Sequence, residues 1–309
     1  MPALLPSINS TIVLKKIAFG GLRAGFRVGG WLLPGQTLRR AADLFGTPLP
    51  ATRARAAACD PAGAVLGEVR RGTQRIATYT WGDPARQPTV LLAHGWSSYG
   101  LFLLPWVQPL RDAGHAVVAF DQPGHGRSDG RRSSLPEFAA VLRQVADHHG
   151  APVAVVAHSL GGAATMLALA GGWQTGRVVL VAPPADPVAA GERFARLVGL
   201  PDRLAGRLLE GWQAQTHTRL DSLQAHRAAP RLAVPALLVH DLGDREVPWA
   251  EGERYARHWP GARLLTTEGL GHNRIATDPG VIAAALDFLG GAVVGERVVS
   301  SPNLPYGFA

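Results

Sequence analysis

Val153-Ala154-Val155-Val156-Ala157-His158-Ser159-Leu160-Gly161-Gly162-Ala163-Ala164 decides how this chain is read. Its first five residues are small or β-branched and apolar, the pattern of a buried strand. Two glycines follow Leu160, and the run from Ala163 to Ala170 has strong helix propensity. A serine on so sharp a strand-to-helix turn needs small residues two before and two after it, because the backbone doubles back closely. Ala157 and Gly161 supply them. The turn exposes the hydroxyl, and the helix N-terminus behind it favours negative charge nearby. The stretch reads as a nucleophile elbow, with Ala157 where the G-x-S-x-G pattern has its first glycine. The competing reading is an ordinary Ser-Gly turn, so the rest of the chain must supply a base, an acid and an oxyanion site.

Composition narrows the classes. The 309 residues suit one large α/β domain with an appendage, and 47% hydrophobic residues are ample for a core. The single cysteine, Cys59, excludes an internal disulfide and a cysteine-based zinc cluster, and it suits a reducing cytoplasm. The net charge of +8 is concentrated at one end. Residues 1–58 hold Lys15, Lys16, Arg23, Arg27, Arg39, Arg40, Arg53 and Arg55 against Asp43 alone, or +7, which leaves +1 for everything else. A basic arm on a nearly neutral body, without a nucleic-acid-binding motif, gives no expectation of a nucleic-acid partner.

Two stretches mimic membrane spans. His148–Gly176 lacks Asp, Glu, Lys and Arg, but Pro152 and the Gly161-Gly162 break make it strand plus helix. Thr11–Gly35 contains Lys15, Lys16, Arg23 and Arg27, and central basic residues cost about 2.5–3.5 kcal/mol each on an insertion scale. No spanning helix is expected, and no signal peptide. Lys16, Arg23 and Arg27 fall along one side of a helix and Phe19, Leu22 and Phe26 along the next, while five glycines between Gly20 and Gly30 weaken that helix. The arm has two readings: it packs across the domain, or it makes a peripheral contact with an anionic membrane surface, the inner one, through residues 11–40.

From residue 60 the pattern is regular. Ala64–Arg70 and Arg75–Trp81 read as a hairpin, Thr89–Ala93 as a buried strand, Pro105–Ala113 as a helix and Ala116–Phe120 as a strand. After the helix Glu137–Asp147 and the elbow come the strand Arg177–Val181 and a helical insertion. The strand Ala236–Val239, the helix Trp249–Trp259, the strand Arg263–Thr267 and the helix Pro279–Leu289 close the chain. Alternating strands and helices imply a mostly parallel sheet led by an antiparallel pair, with the site-bearing loops along one edge. The insertion, residues 184–235, is long for a connection and predicts a small helical cap. Its Phe194, Leu197, Val198, Leu204, Leu208, Leu209 and Trp212 line an acyl pocket or form the cap's own packing face. The resulting division is an arm (1–58), a core (59–183 and 236–292), the cap (184–235) and a tail (293–309).

Four stretches carry a resemblance to a known family: Leu92-Ala93-His94-Gly95-Trp96, Phe120-Asp121-Gln122-Pro123-Gly124-His125-Gly126-Arg127-Ser128, Ala157-His158-Ser159-Leu160-Gly161-Gly162, and His240-Asp241-Leu242-Gly243-Asp244-Arg245-Glu246-Val247-Pro248 with Gly271-His272. In this order and spacing the chain resembles the α/β-hydrolase-fold serine hydrolases, and among them the monoacylglycerol lipase/lysophospholipase-like esterases with a short cap. The resemblance spans about residues 64–290 and implies a sheet of about eight strands, with the cap inserted after the sixth.

The chemistry requires an imidazole to take the serine proton and a carboxylate to orient that imidazole. His272, late in the chain in a Gly-rich loop, is the base the resemblance implies. Asp244 is the acid, with Asp241 and Asp186 as rivals. The order Ser159, Asp244, His272 fits this fold. The backbone amides of Leu160 and Trp96 are the expected oxyanion donors. A serine nucleophile excludes the aspartate-dependent dehalogenase and epoxide hydrolase routes, and the Asp121–Ser128 loop reads as bracing. The expectation is a cytoplasmic hydrolase of small-molecule carboxylic esters acting through an acyl-enzyme, with no cofactor and no metal. The alternatives are acyl transfer to another acceptor or to peroxide by the same triad, and a non-catalytic binding module of the same fold.

Overall fold

A computed structural model of the chain describes residues 10–216 and 218–298, with side chains from residue 19 onward apart from Gln215. Residues 299–309 of the expected tail, His217 and the first nine residues of the arm lie outside the described residues. Helices α1 (Ser10–Leu32), α2 (Pro34–Phe45) and α3 (Pro50–Ala58) come first, followed by β1 (Val65–Arg71), β2 (Gln74–Trp81) and β3 (Thr89–Ala93). Then follow α4 (Val107–Asp112), β4 (Ala116–Phe120), α5 (Leu135–His148), β5 (Ala154–His158), α6 (Leu160–Ala170) and β6 (Arg177–Val181). The remainder is α7 (Pro187–Val198), α8 (Asp202–Thr216), α9 (Ala225–Ala228), β7 (Ala236–Asp241), α10 (Trp249–His258), β8 (Ala262–Thr267), α11 (Gly271–Arg274) and α12 (Pro279–Leu289).

The eight strands form one sheet in the order β1-β2-β4-β3-β5-β6-β7-β8. β1 and β2 pair antiparallel, β2 meets β4 antiparallel, and every pairing from β4 to β8 is parallel. The mostly parallel sheet led by an antiparallel pair is what the alternation of strands and helices implies, and the eight-stranded α/β-hydrolase fold is what the family resemblance implies. Every residue of β3, β4 and β5 is buried, because helices cover both faces of a parallel sheet. Tyr79, Leu92, Trp106, Val117, Val156, Val239 and Phe288 belong to one apolar cluster on it. Trp96, Ser159, Asp244 and His272 fall in the loops after β3, β5, β7 and β8, at the strands' carboxyl ends.

Two local readings differ from expectation. The helix read at Pro105–Ala113 is a 3₁₀ segment from Gly100 to Trp106 followed by α4, since Pro105 has no amide to donate within a continuous α-helix. The chain also divides into units at other places than the sequence reading set. Among the described residues, one compact unit joins 10–45 to 188–216, and the other holds 46–187 and 218–298. α3 belongs to the sheet-bearing unit because the Arg53 guanidinium donates to the carbonyl oxygens of Ser128 (2.6 Å), Gly130 (2.8 Å) and Gly124 (3.2 Å). Residues 218–235 belong there too: the Ala225 amide donates to the Ala185 carbonyl at 2.9 Å, and Leu223, Ala225 and Ala229 are buried.

The helical unit has a small core of its own. Phe26, Ala41, Ala195, Val198, Leu200, Leu204 and Leu208 cluster together, with Leu38, Ala42, Phe194 and Ala205 against them. Four of the residues considered for an acyl pocket, Phe194, Val198, Leu204 and Leu208, thus pack within the unit, and Leu197 is exposed. α1 runs unbroken through its five glycines. Arg23 donates to the Leu197 carbonyl at 3.0 Å and Arg203 to the Gly30 carbonyl, so tertiary contacts override weak local propensity. Among the described residues no helix is long and apolar enough to cross a membrane.

Candidate active site

The site begins where β5 ends. Ser159 takes φ +52°, ψ −124°, a conformation costing a non-glycine residue about 1–3 kcal/mol. Its amide donates to the Val181 carbonyl at 2.8 Å and its carbonyl accepts from the Gly162 amide at 2.8 Å, which clamps the turn between β6 and α6. Glycine is required at 161 by proximity: a Cβ there would sit 2.5 Å from the Ala93 oxygen and 2.7 Å from the His94 oxygen. Gly95 is equally confined, since its Cβ would lie 2.8 Å from Ser159 Cβ. The β3 loop and the elbow are therefore in backbone contact.

His272 stands at the start of α11, and Ser159 Oγ donates to its Nε2 at 3.0 Å. On the other side of the ring, Nδ1–H donates to Asp244 Oδ2 at 2.7 Å. That bond assigns the tautomer, because a carboxylate accepts only from a protonated Nδ1, and Nε2 is left as the acceptor facing serine. Asp244 Oδ1 accepts the Glu246 and Val247 amides at 2.8 and 2.9 Å. Burial pushes the Asp244 carboxyl up. Hydrogen bonds from His240, His272 and the Val247 amide outweigh it and hold the group well below the usual carboxylate range. The His240 Nε2–H is shared between the Val247 carbonyl at 3.0 Å and Asp244 Oδ2 at 3.5 Å.

The rival carboxylates are occupied elsewhere. Asp241 accepts the Gly243 amide on Oδ1 and the Thr267 hydroxyl and Leu270 amide on Oδ2, each at 2.9 Å, which shapes the loop carrying His272. Asp186 accepts from Gln224 and from Arg254. The structure brings Ser159, His272 and Asp244 into one line and leaves Asp241 and Asp186 outside it.

Two further histidines, His94 and His158, act on this line through the backbone. The Gln122 amide donates to His94 Nε2 at 3.0 Å, so Nδ1 carries the proton and donates to the Gly95 carbonyl at 2.7 Å. Pinning that oxygen fixes the Gly95–Trp96 peptide plane and points the Trp96 N–H the opposite way. Neither the Trp96 nor the Leu160 amide donates to an acceptor among the described residues. His158, the residue before the serine, turns away from it and donates from Nε2 to the His272 carbonyl at 2.9 Å. Its Nδ1 is buried without a partner among the described residues. Burial, then the nearby His272 ring, pushes His158 down to about 3, and burial takes His94 to about 4, so both rings are neutral donors at neutral pH. The signal for these roles is adjacency to the Ser159 and Gly95 motifs; the bond partners are tertiary and have no trace in spacing.

The Asp121–Ser128 loop braces the same edge. Asp121 accepts from the Tyr79 hydroxyl, the Gly100 amide and the Arg127 amide, all at 2.7 Å. His125 Nε2 accepts from the Ser97 amide at 3.1 Å, immediately after Trp96.

Residues 90–285 match the alpha/beta hydrolase family, and the chain belongs to it. It is an enzyme of the hydrolase class. Among its relatives is the Variovorax paradoxus (strain S110) protein named "Putative carbamate hydrolase RutD", 27% identical over 263 residues, or 72% of this chain and 96% of that one. A Drosophila melanogaster protein named "Probable serine hydrolase" is 34% identical over 94 residues, 28% of each chain. Mouse alpha/beta hydrolase domain-containing protein 10 superposes on 74% of this chain and 97% of its own with a TM-score of 0.58 at 18% identity, a likeness of fold.

Proposed function

We propose that the chain hydrolyses carboxylic esters through an acyl-enzyme on Ser159. The observation that carries this reading is the hydrogen-bonded line from Asp244 through His272 to Ser159, at 2.7 and 3.0 Å. Ser159 Oγ attacks the ester carbonyl carbon as its proton passes to His272 Nε2. Asp244 keeps the imidazole in the receptive tautomer and stabilises the imidazolium. The amides of Leu160 and Trp96 receive the tetrahedral oxyanion. The imidazolium then protonates the departing alkoxide, leaving the acyl group on Oγ. A water molecule, deprotonated by the same histidine, attacks the acyl carbon; Oγ leaves with the proton and the acid is released. The single cysteine Cys59, which is free, supports a reducing compartment such as the cytoplasm.

The test is turnover of a panel of esters graded by acyl-chain length. Wild type is expected to hydrolyse a subset of them. Ser159→Ala and His272→Ala each lose about 10⁴–10⁶ in kcat, the range for knocking out such a unit, while the fold persists by circular dichroism. A folded wild-type chain inert on every ester, or a Ser159→Ala variant with full activity, contradicts the reading. One second class belongs on the panel: the name of the Variovorax relative makes carbamates, which offer the same carbonyl to the same nucleophile, the alternative substrate.

A further inference from the structure

The helical unit presents a surface that its own packing does not use. Phe26 of α1 faces the cluster of Ala195, Val198 and Leu204. At 3.6 residues per turn, the opposite side of the helix carries Gly21, Ala24, Gly25, Val28, Trp31 and Leu32, all exposed and none charged. Exposure reaches 55% at Val28, 70% at Trp31 and 73% at Leu32, and the next residue, Leu33, is 53% exposed. Single exposed apolar residues are ordinary; a run of them along one helix face is not.

Trp31 is held outward. The Arg203 guanidinium stacks over its ring at 4.0 Å from the centroid and also donates to the Gly30 carbonyl, so the indole is presented at the surface beside a fixed cation. Arg27 borders the apolar face, and Arg39 and Arg40 of α2 are exposed. The unit as a whole carries ten basic and four acidic residues, +6 of the chain's +8. An apolar face with tryptophan at its end, arginine at its border and a net positive unit behind it has the chemistry of an interfacial helix. Tryptophan and arginine both place an apolar body in one medium and a polar group in the other. A second copy of this chain fits the charge poorly, because the contact would set one positive unit against another. A nucleic acid would use the arginines and leave Val28, Trp31, Leu32 and Leu33 without a partner.

We propose that α1 is a docking surface for an anionic lipid bilayer: it lies in the plane of the interface, with Val28, Trp31, Leu32 and Leu33 entering the acyl boundary and the arginines meeting lipid phosphates. The helix lies on the membrane and does not cross it. The inference is independent of the ester reading, which concerns residues of the other unit.

The experiment is co-sedimentation of the full chain with phosphatidylcholine vesicles, alone or with about 30% phosphatidylglycerol, the composition that supplies a negative surface potential. Wild type is expected to pellet at least about tenfold better with the anionic vesicles, and raising the salt well above 0.1 M, where screening shortens to below about 10 Å, weakens that binding. Trp31→Ser with Leu32→Ser lowers partitioning by about tenfold or more, and Arg27→Gln by about fivefold, the equivalent of roughly 1 kcal/mol per surface cation. Thermal unfolding and circular dichroism serve as fold controls; Val28→Asn replaces the double variant should that fail them. Equal pelleting of wild type and variants, or no pelleting with anionic vesicles, overturns the proposal. So does lipid-free self-association of wild type that the double variant abolishes in light scattering, because the face then belongs to a second copy.

Discussion

In the sheet-bearing unit, three central strands are buried at every position, and four histidines near the site, His94, His125, His158 and His240, lie at 3% exposure or less. In the helical unit, seven residues form the buried cluster, and the described residues include no histidine. The first unit has enough apolar burial to hold a strained serine and several neutral imidazoles in place. The second buries little and leaves valine, tryptophan and leucine in solvent. Reactive geometry needs an over-determined surrounding, whereas a docking helix needs only to be held by one side.

Acid should separate the two most strongly. His94, His125 and His158 are pushed down from 6.5 to about 4, 3 and 3, each chiefly by burial. Their folded values lie below the unfolded one, so below pH 6.5 the unfolded chain binds protons that the folded chain does not. Stability therefore falls as pH falls, by about 1.4 kcal/mol per unit for each ring and about 4 kcal/mol per unit for all three, until the folded values are reached. Urea unfolding between pH 7 and 5 checks this. A flat profile would mean that these rings are not the neutral, buried donors described.

Glycine substitutions sharpen the contrast because they reverse sign. Gly161→Ala drives a methyl into two carbonyl oxygens and is expected to cost about 3 kcal/mol or more, with loss of activity as the elbow shifts. Gly21→Ala in α1 meets nothing within 4 Å and removes a helix-weakening residue, so it should gain up to about 1 kcal/mol. Equilibrium unfolding of both variants reads the difference.

The sheet was legible because its strands are short, uniformly apolar and punctuated by Gly and Pro, and β3 and β4 run over the residues that pattern marked. Ser159, Asp244 and His272 stood out because each follows a strand in a small-residue turn, and the three meet in one hydrogen-bonded line. The service of His94 and His158 was not legible, since it depends on which backbone carbonyl each ring reaches across the fold. The helical unit was the least legible. Its two segments lie more than 140 residues apart, and the anchors of α1, Arg23 to Leu197 and Arg203 to Gly30, are side chain to backbone and leave no periodic signature.

The central claim is that Ser159 is a nucleophile activated by His272, and covalent labelling addresses it most directly. Treatment of the folded chain with a fluorophosphonate, followed by peptide mass spectrometry, should place a single adduct on the peptide containing Ser159. The adduct should be absent from Ser159→Ala and form far more slowly in His272→Ala. A folded wild-type chain that takes up no label, or one whose labelling survives Ser159→Ala unchanged, would contradict the account.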